Sequence, residues 1–150
     1  MESRRLMNGD MVERLRQAYE GFNANGGRDF DPERDAPGFW DLLADDVEVH
    51  EPDDVSEPRV FVGREGYKAA SREASEGFED LRYELRWILD IGNHLLVVVR
   101  GSGRERETGT GRELREIHLW TVREGKFARV QGFHTADDAL RAAERLDAGG

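Results

Sequence analysis

Between Asp10 and Asn25 the apolar residues Met11, Val12, Leu15, Ala18, Tyr19 and Phe22 recur every three or four positions, which collects them on one face of a helix. Asp10 and Glu13 have the spacing of a capping box, and Asn25-Gly26-Gly27 has the composition of a helix stop. After an Asp-rich connector, Asp35 stands where it could cap a short second helix. That helix would hold Pro37 in its first turn and bury Phe39, Trp40, Leu42 and Leu43. The rhythm then changes to period two: Val47-Glu48-Val49-His50-Glu51-Pro52 predicts a strand that ends at proline, which cannot donate to a ladder. Arg59 to Gly63 reads as a second short strand. Glu65 to Glu76 reads as a third helix on Tyr67, Ala70 and Ala74, closed by Gly77.

The remainder is patterned mainly for sheet. Strands are predicted over Phe78 to Ile91, Leu95 to Glu105, Glu113 to Val122 and Phe127 to Thr135, with turn signals at Gly92-Asn93, Thr108 to Gly111 and Arg123 to Gly125. Strands joined by such short turns form an antiparallel meander. Asp137 to Leu146 closes the chain as a helix with Ala139, Leu140, Ala143 and Leu146 in one stripe. No repeat or long linker divides the pattern. A flexible N-terminus over residues 1–9 and one α+β domain over residues 10–147 are therefore expected.

Composition narrows the class of partner. A formal net charge of -10 repels phosphate backbones and anionic lipid surfaces, so neither nucleic acid nor membrane is expected, and a neutral or cationic ligand suits the chain better. With no cysteine there is no disulfide framework, thiolate metal site or cysteine nucleophile, and the expected compartment is the cytoplasm.

Three helices ahead of a long meander, with one short strand pair between them, is an order that resembles the nuclear transport factor two and ketosteroid isomerase superfamily, and within it the SnoaL-like proteins. The segments most similar to it are Phe22-Asn23-Ala24-Asn25-Gly26, Leu42 to Pro52, Gly63-Arg64-Glu65-Gly66 and His118 to Lys126. The resemblance implies a cone: a curved mixed or antiparallel sheet wrapped around a long N-terminal helix, its interior either filled or left as a hydrophobic pocket. It also implies a small hydrophobic ligand, no cofactor, and a homodimer through the outer sheet face.

Glu51 shares a face with Val47 and Val49, so desolvation is expected to raise its pKa and make it a base. The resemblance places it where ketosteroid isomerases carry their catalytic Asp before a proline. His118 depends on the hairpin. With a three-residue loop at Arg123-Glu124-Gly125, Val122 pairs with Lys126 and His118 with Val130, and one face collects Leu114, Glu116, His118, Trp120, Ala128, Val130, Gly132 and His134. By resemblance His118 stands where the isomerases donate a hydrogen bond to an oxyanion, and His134 where SnoaL relatives carry a proton-transferring acid. Glu116 is the carboxylate to test as partner of the histidines. Tyr19, Phe22, Trp40, Trp120 and Val130 are the expected remaining lining.

His50 is expected to face away from Glu51, and His94 to lie solvated in a turn. No spacing of His or carboxylate residues suggests a metal. Ile117, Leu119, Phe127 and Phe133 form a second apolar face that needs cover, for which a second subunit is the expectation. Two functions fit these residues: a cofactor-independent isomerase, cyclase or hydratase moving a proton on a small apolar ligand, or a non-catalytic module that binds such a ligand or a protein. Epoxide hydrolysis would need an Asp-Arg-Asp set, of which Asp90 and Arg100 supply at most two members.

Overall fold

The long first helix, α1 (Glu2–Ala24), sets the geometry of the rest. A computed structural model describes residues 2–149, with side chains from residue 9 to 149. The helix begins at Glu2 rather than Asp10, because Glu2, Arg4, Arg5, Leu6 and Met7 are strong helix formers. Residues 2–9, expected to be a flexible lead-in, thus continue the helix, and Met1 lies outside the described residues. Asp10 is an interior position and pairs with Arg14 at 3.6 Å instead of capping. At the other end Gly26 and Gly27 take φ of +63° and +75°, and the Gly27 amide closes on the Phe22 carbonyl at 2.8 Å. A side chain at Gly27 would bring its Cβ within 2.6 Å of the Phe22 ring, so the stop also requires glycine sterically.

Two short helices follow where one was expected. Asp31 caps α2 (Pro32–Asp35) through the Glu33 amide at 3.1 Å, and α3 (Pro37–Leu42) starts afresh on Pro37. Each proline sits at the first helical position, where its missing N–H costs nothing. Asp35 is therefore no cap. Its carboxylate turns back to accept from the Asp31 amide at 2.9 Å and from Asn25 Nδ2 at 3.1 Å.

The chain then lays down β1 (Leu43–His50), β2 (Val60–Val62), α4 (Gly63–Glu76), β3 (Phe78–Asp90), β4 (His94–Glu105), β5 (Gly111–Arg123), β6 (Lys126–Phe133) and α5 (Ala136–Gly149). The six strands form one sheet in the order β2-β1-β6-β5-β4-β3. β1 runs parallel to β6 and every other neighbouring pair is antiparallel. Irregular registers in β3 and β6 and between β1 and β6 bend the ladder, as inserted residues do, so the sheet is curved and unclosed.

The concave face takes α1 and α3 against Leu95, Val97, Val99, Trp120 and Val130. The convex face takes α5 against Leu96, Ile117, Leu119 and Phe133. β4 is consequently apolar on both faces, with Leu95, Val97 and Val99 inward and Leu96 and Val98 outward. The cover for the convex face thus comes from the chain itself, and the reason for expecting a second subunit on Ile117, Leu119 and Phe133 falls away. Ala139, Ala142 and Ala143 make the contact, since small residues let the helix lie close to the sheet, while Leu140 sits on the flank at 40% exposure.

The β5–β6 hairpin differs from the expected three-residue loop. Glu124 and Gly125 both have positive φ, 53° and 74°, which is the two-residue turn whose twist matches paired strands. Arg123 pairs with Lys126 and Val122 with Phe127, which turns Phe127 into the concave core rather than outward. The register then slips by one residue, leaving Ala128 as the extra one, so that Trp120 pairs with Val130 and His118 with Gly132.

Leu119 is fully buried between β5 and α5. Leu119→Ala is expected to lower unfolding free energy by about 2–4 kcal/mol through the cavity it leaves, read as a fall in the urea midpoint with an unchanged slope.

Candidate functional site

A cavity of about 460 Å³ on the concave face is enclosed by α1, α4, β1 and β2 with their connection, β3 and the β5–β6 ladder. α1 contributes Tyr19 and Phe22, α4 contributes Tyr67, β3 contributes Tyr83, and the central strands contribute Glu116, His118, Trp120, Val130 and Gly132. The wall is mostly aromatic, as a site for a small organic molecule requires.

At its base three side chains interlock. Trp120 Nε1 donates to Tyr19 Oη at 3.2 Å, and Tyr19 Oη lies 2.6 Å from His118 Nδ1. The two rings stack with centroids 5.8 Å apart, and Tyr83 packs edge-on against the imidazole at 5.7 Å. One proton arrangement satisfies every group: Tyr19, already accepting from Trp120, donates to Nδ1, which leaves the imidazole proton on Nε2. Glu116 Oε2 is 4.0 Å from that Nε2, too far for a hydrogen bond but close enough for Coulombic attraction. This oxygen is buried and has no hydrogen-bond partner among the described residues.

Burial controls protonation here. It pushes the His118 pKa below the ordinary imidazole value, and the nearby Glu116 carboxylate only partly opposes that. Burial likewise holds Tyr19 well above the ordinary phenol value, against the Trp120 hydrogen bond that favours the phenolate. Desolvation also raises Tyr67 and Tyr83, and for Tyr83 the adjacent Glu116 carboxylate raises it further. The floor of the cavity is thus a neutral imidazole backed by neutral phenols, with one carboxylate facing it.

Residues 15–130 match the SnoaL-like domain. The chain belongs to that family. Solved structures with the same fold include a nuclear transport factor two-like protein of unknown function from Burkholderia pseudomallei K96243, at 20% identity and a TM-score of 0.67, covering 88% of this chain and 95% of that one. Another, from Jannaschia sp. CCS1, is provisionally described as a SnoaL-like polyketide cyclase, at 17% identity and a TM-score of 0.67, covering 90% of this chain and 91% of that one. TerC co-crystallised with polyporic acid matches at 22% identity and a TM-score of 0.64, covering 90% of this chain and 98% of that one. No curated protein matches the chain.

Within this SnoaL-like domain the expected site residues separate. Tyr19, Phe22, Glu116, His118, Trp120 and Val130 line the cavity together. Glu51 lines it too, on the face its alternation with Val47 and Val49 required, but it is not a desolvated base. Arg59 grips both its oxygens, Nε to Oε1 at 3.1 Å and Nη2 to Oε2 at 3.0 Å, and the Arg59 amide adds a third bond at 2.9 Å. These bonds lower the Glu51 pKa rather than raise it. Arg59 is also held by Glu73 of α4, so the three residues form an ionic bridge across the rim.

His134 is outside the cavity, 66% exposed beyond the end of β6, with its Nε2 2.6 Å from Asp54. Trp40 is buried in the core beneath Arg64 and Lys68 and does not line the cavity. His94 is not solvated. It opens β4, is buried under α5, and bonds Thr121 at 3.0 Å and Asp147 at 2.9 Å. His50 lies at the cavity edge and is held by Glu48 at 2.7 Å.

Tyr67, Tyr83 and Arg59 were missed as site residues. Tyr67 was visible as part of a helical stripe and Tyr83 as an odd-numbered strand position beside Leu81 and Leu85, but nothing local told a lining aromatic from a core one. Among the described residues no group of three or more His, Asp or Glu could hold a metal ion, and no helix is long and apolar enough to cross a membrane.

The His118 environment has a measurable consequence. Its ring is expected to titrate below about 6.5 in two-dimensional NMR, and Glu116→Gln should lower the midpoint further by removing the charge that favours imidazolium. Because the folded pKa is depressed, the unfolded chain takes up this proton first. The stabilisation by neutral His118 is complete above the unfolded pKa and falls as pH drops toward the folded one. His118→Phe should flatten that part of the stability profile.

Proposed function

We propose that the cone is an active site for proton transfer at a carbon next to a carbonyl group, the chemistry of an isomerase or cyclase, carried out by side chains alone. The observation that carries this reading is the pairing of an unpartnered carboxylate oxygen, Glu116 Oε2, with a buried imidazole 4.0 Å away in an aromatic cavity. Proton abstraction from carbon needs a base out of water and a donor for the oxygen that becomes negative. Glu116 is the first and His118 the second.

Glu116 Oε2 takes the proton from the carbon. The C–H electron pair moves into the C–C bond toward the carbonyl, and the carbonyl π pair moves onto oxygen as an enolate. His118 Nε2–H donates a hydrogen bond to that oxygen without giving up its proton. In a conjugated substrate protonated Glu116 then returns the proton at a second carbon, giving an isomer. Alternatively the enolate carbon attacks an internal carbonyl carbon, whose π pair moves onto its oxygen, and the Glu116 proton passes to that alkoxide, giving a ring. Tyr19 is a positioning residue: by donating to Nδ1 it fixes the tautomer that presents N–H to the cavity. Neutral imidazole suits this role because burial keeps it uncharged while its Nε2 still carries an N–H donor. The base therefore shifts from Glu51, neutralised by Arg59, to Glu116, which sequence reasoning had placed in the lining.

The test is hydrogen–deuterium exchange in D2O, followed by proton NMR on a panel of cyclic and aryl ketones. At least one member is expected to exchange its α-hydrogens faster with the protein than in buffer. Glu116→Gln should reduce that rate by about 10²- to 10⁴-fold, the range for loss of a positioned base, and His118→Phe should also slow it. Exchange that is no faster than in buffer for every ketone that binds would make the cone a binding module. Exchange unchanged in both variants would remove the assigned roles.

A further inference from the structure

We infer that the ligand of the cone carries a positive charge, as a protonated or quaternary amine on an otherwise apolar skeleton. The inference deepens the functional reading and rests on the cone being the ligand cavity.

The charges on its wall do not balance. Four carboxylates, Glu51, Glu73, Glu76 and Glu116, face the cavity against a single arginine, Arg59. That guanidinium is engaged by Glu51 and Glu73 at the rim. No cation among the described residues reaches Glu116: its Oε2 is buried without a hydrogen-bond partner, the neutral imidazole is 4.0 Å off, and the Tyr83 phenol beside the carboxylate carries no charge. Leaving a charged oxygen out of water without a matching charge is costly, and among the described residues no cation is paired with it.

The rest of the wall is suited to supply one from a ligand. Tyr19, Phe22, Tyr67, Tyr83 and Trp120 line the same space, and ring faces attract cations electrostatically, most strongly where water is excluded. Rings around one carboxylate are the combination that holds an ammonium group. A neutral ligand would leave Glu116 uncompensated, and an anionic one would meet repulsion both from the wall and from a chain of net charge -10. The cationic nitrogen would sit beside the carbon that Glu116 deprotonates, where its positive charge stabilises the developing carbanion.

Benzyltrimethylammonium and its neutral carbon isostere, neopentylbenzene, separate charge from shape. Both are titrated into the full chain by calorimetry, with the Trp120 indole N–H resonance reporting binding within the cone. The cation is expected to bind at least tenfold more tightly, to shift the Trp120 resonance, and to lose most of that preference in Glu116→Gln. Equal or tighter binding of the isostere to the wild type overturns the inference without reference to any variant. A preference that survives in Glu116→Gln, or cation binding that leaves Trp120 unshifted, overturns it as well. The outcome is independent of the exchange assay. A cation preference without exchange removes the catalytic reading and keeps this one, and exchange on neutral ketones without a cation preference does the reverse.

Discussion

One extra residue in β6, Ala128, decides which side chains meet on the concave face, because in a pleated strand a shift of one position exchanges the two faces. The two-residue turn at Glu124-Gly125 pairs Val122 with Phe127 and so sends Phe127 into the core. Continued without interruption, that register would have set Trp120 against Arg129 and His118 against Gln131, one residue short of Gly132. The inserted residue restores the parity, and Val130 and Gly132 join Trp120 and His118 on the wall that faces Tyr19. The hydrogen-bonded set of Trp120, Tyr19 and His118 joins residues about a hundred positions apart, and this register is what sets Val130 and Gly132 beside it.

From that arrangement follows the division of charge. Aromatic rings exclude water from the base of the cone, which keeps His118 and the tyrosines neutral. At the rim the carboxylates Glu51 and Glu73 are matched by Arg59 and act as an ionic bridge between the β1–β2 connection and α4. Inside, Glu116 is unmatched. The same type of side chain is thus structural in one place and available for chemistry in another, according to whether an arginine reaches it. This contrast motivates both the assignment of Glu116 as base and the expectation of a cationic ligand.

Much of the architecture was legible in the periodicities. Helical spacing on Leu15, Tyr19 and Phe22, alternation at Val47 and Val49, and glycine-rich turns between the four long strands specify the order of elements, and the observed ladder follows it. What local pattern could not convey was partnership across the sheet. Glu51 lies on the face its period required, but its state is set by Arg59, eight residues away across a turn. His94 looked like a turn residue and is buried because α5 returns over the first residue of β4. Trp40 and Trp120 are alike as isolated aromatics; one fills the core and the other lines the cavity because α3 packs beneath α4 rather than into the cone. The apolar convex face was correctly read as needing cover, and the alanines of α5 supply it.

The central claim is that a neutral His118 presents Nε2–H to the cavity because Tyr19 occupies Nδ1. The nitrogen chemical shifts of ¹⁵N-labelled His118 at neutral pH test it most directly. The account predicts an unprotonated, hydrogen-bonded Nδ1 and a protonated Nε2, with the tautomer preference weakened in Tyr19→Phe. A protonated Nδ1, or an imidazolium at neutral pH, would contradict it.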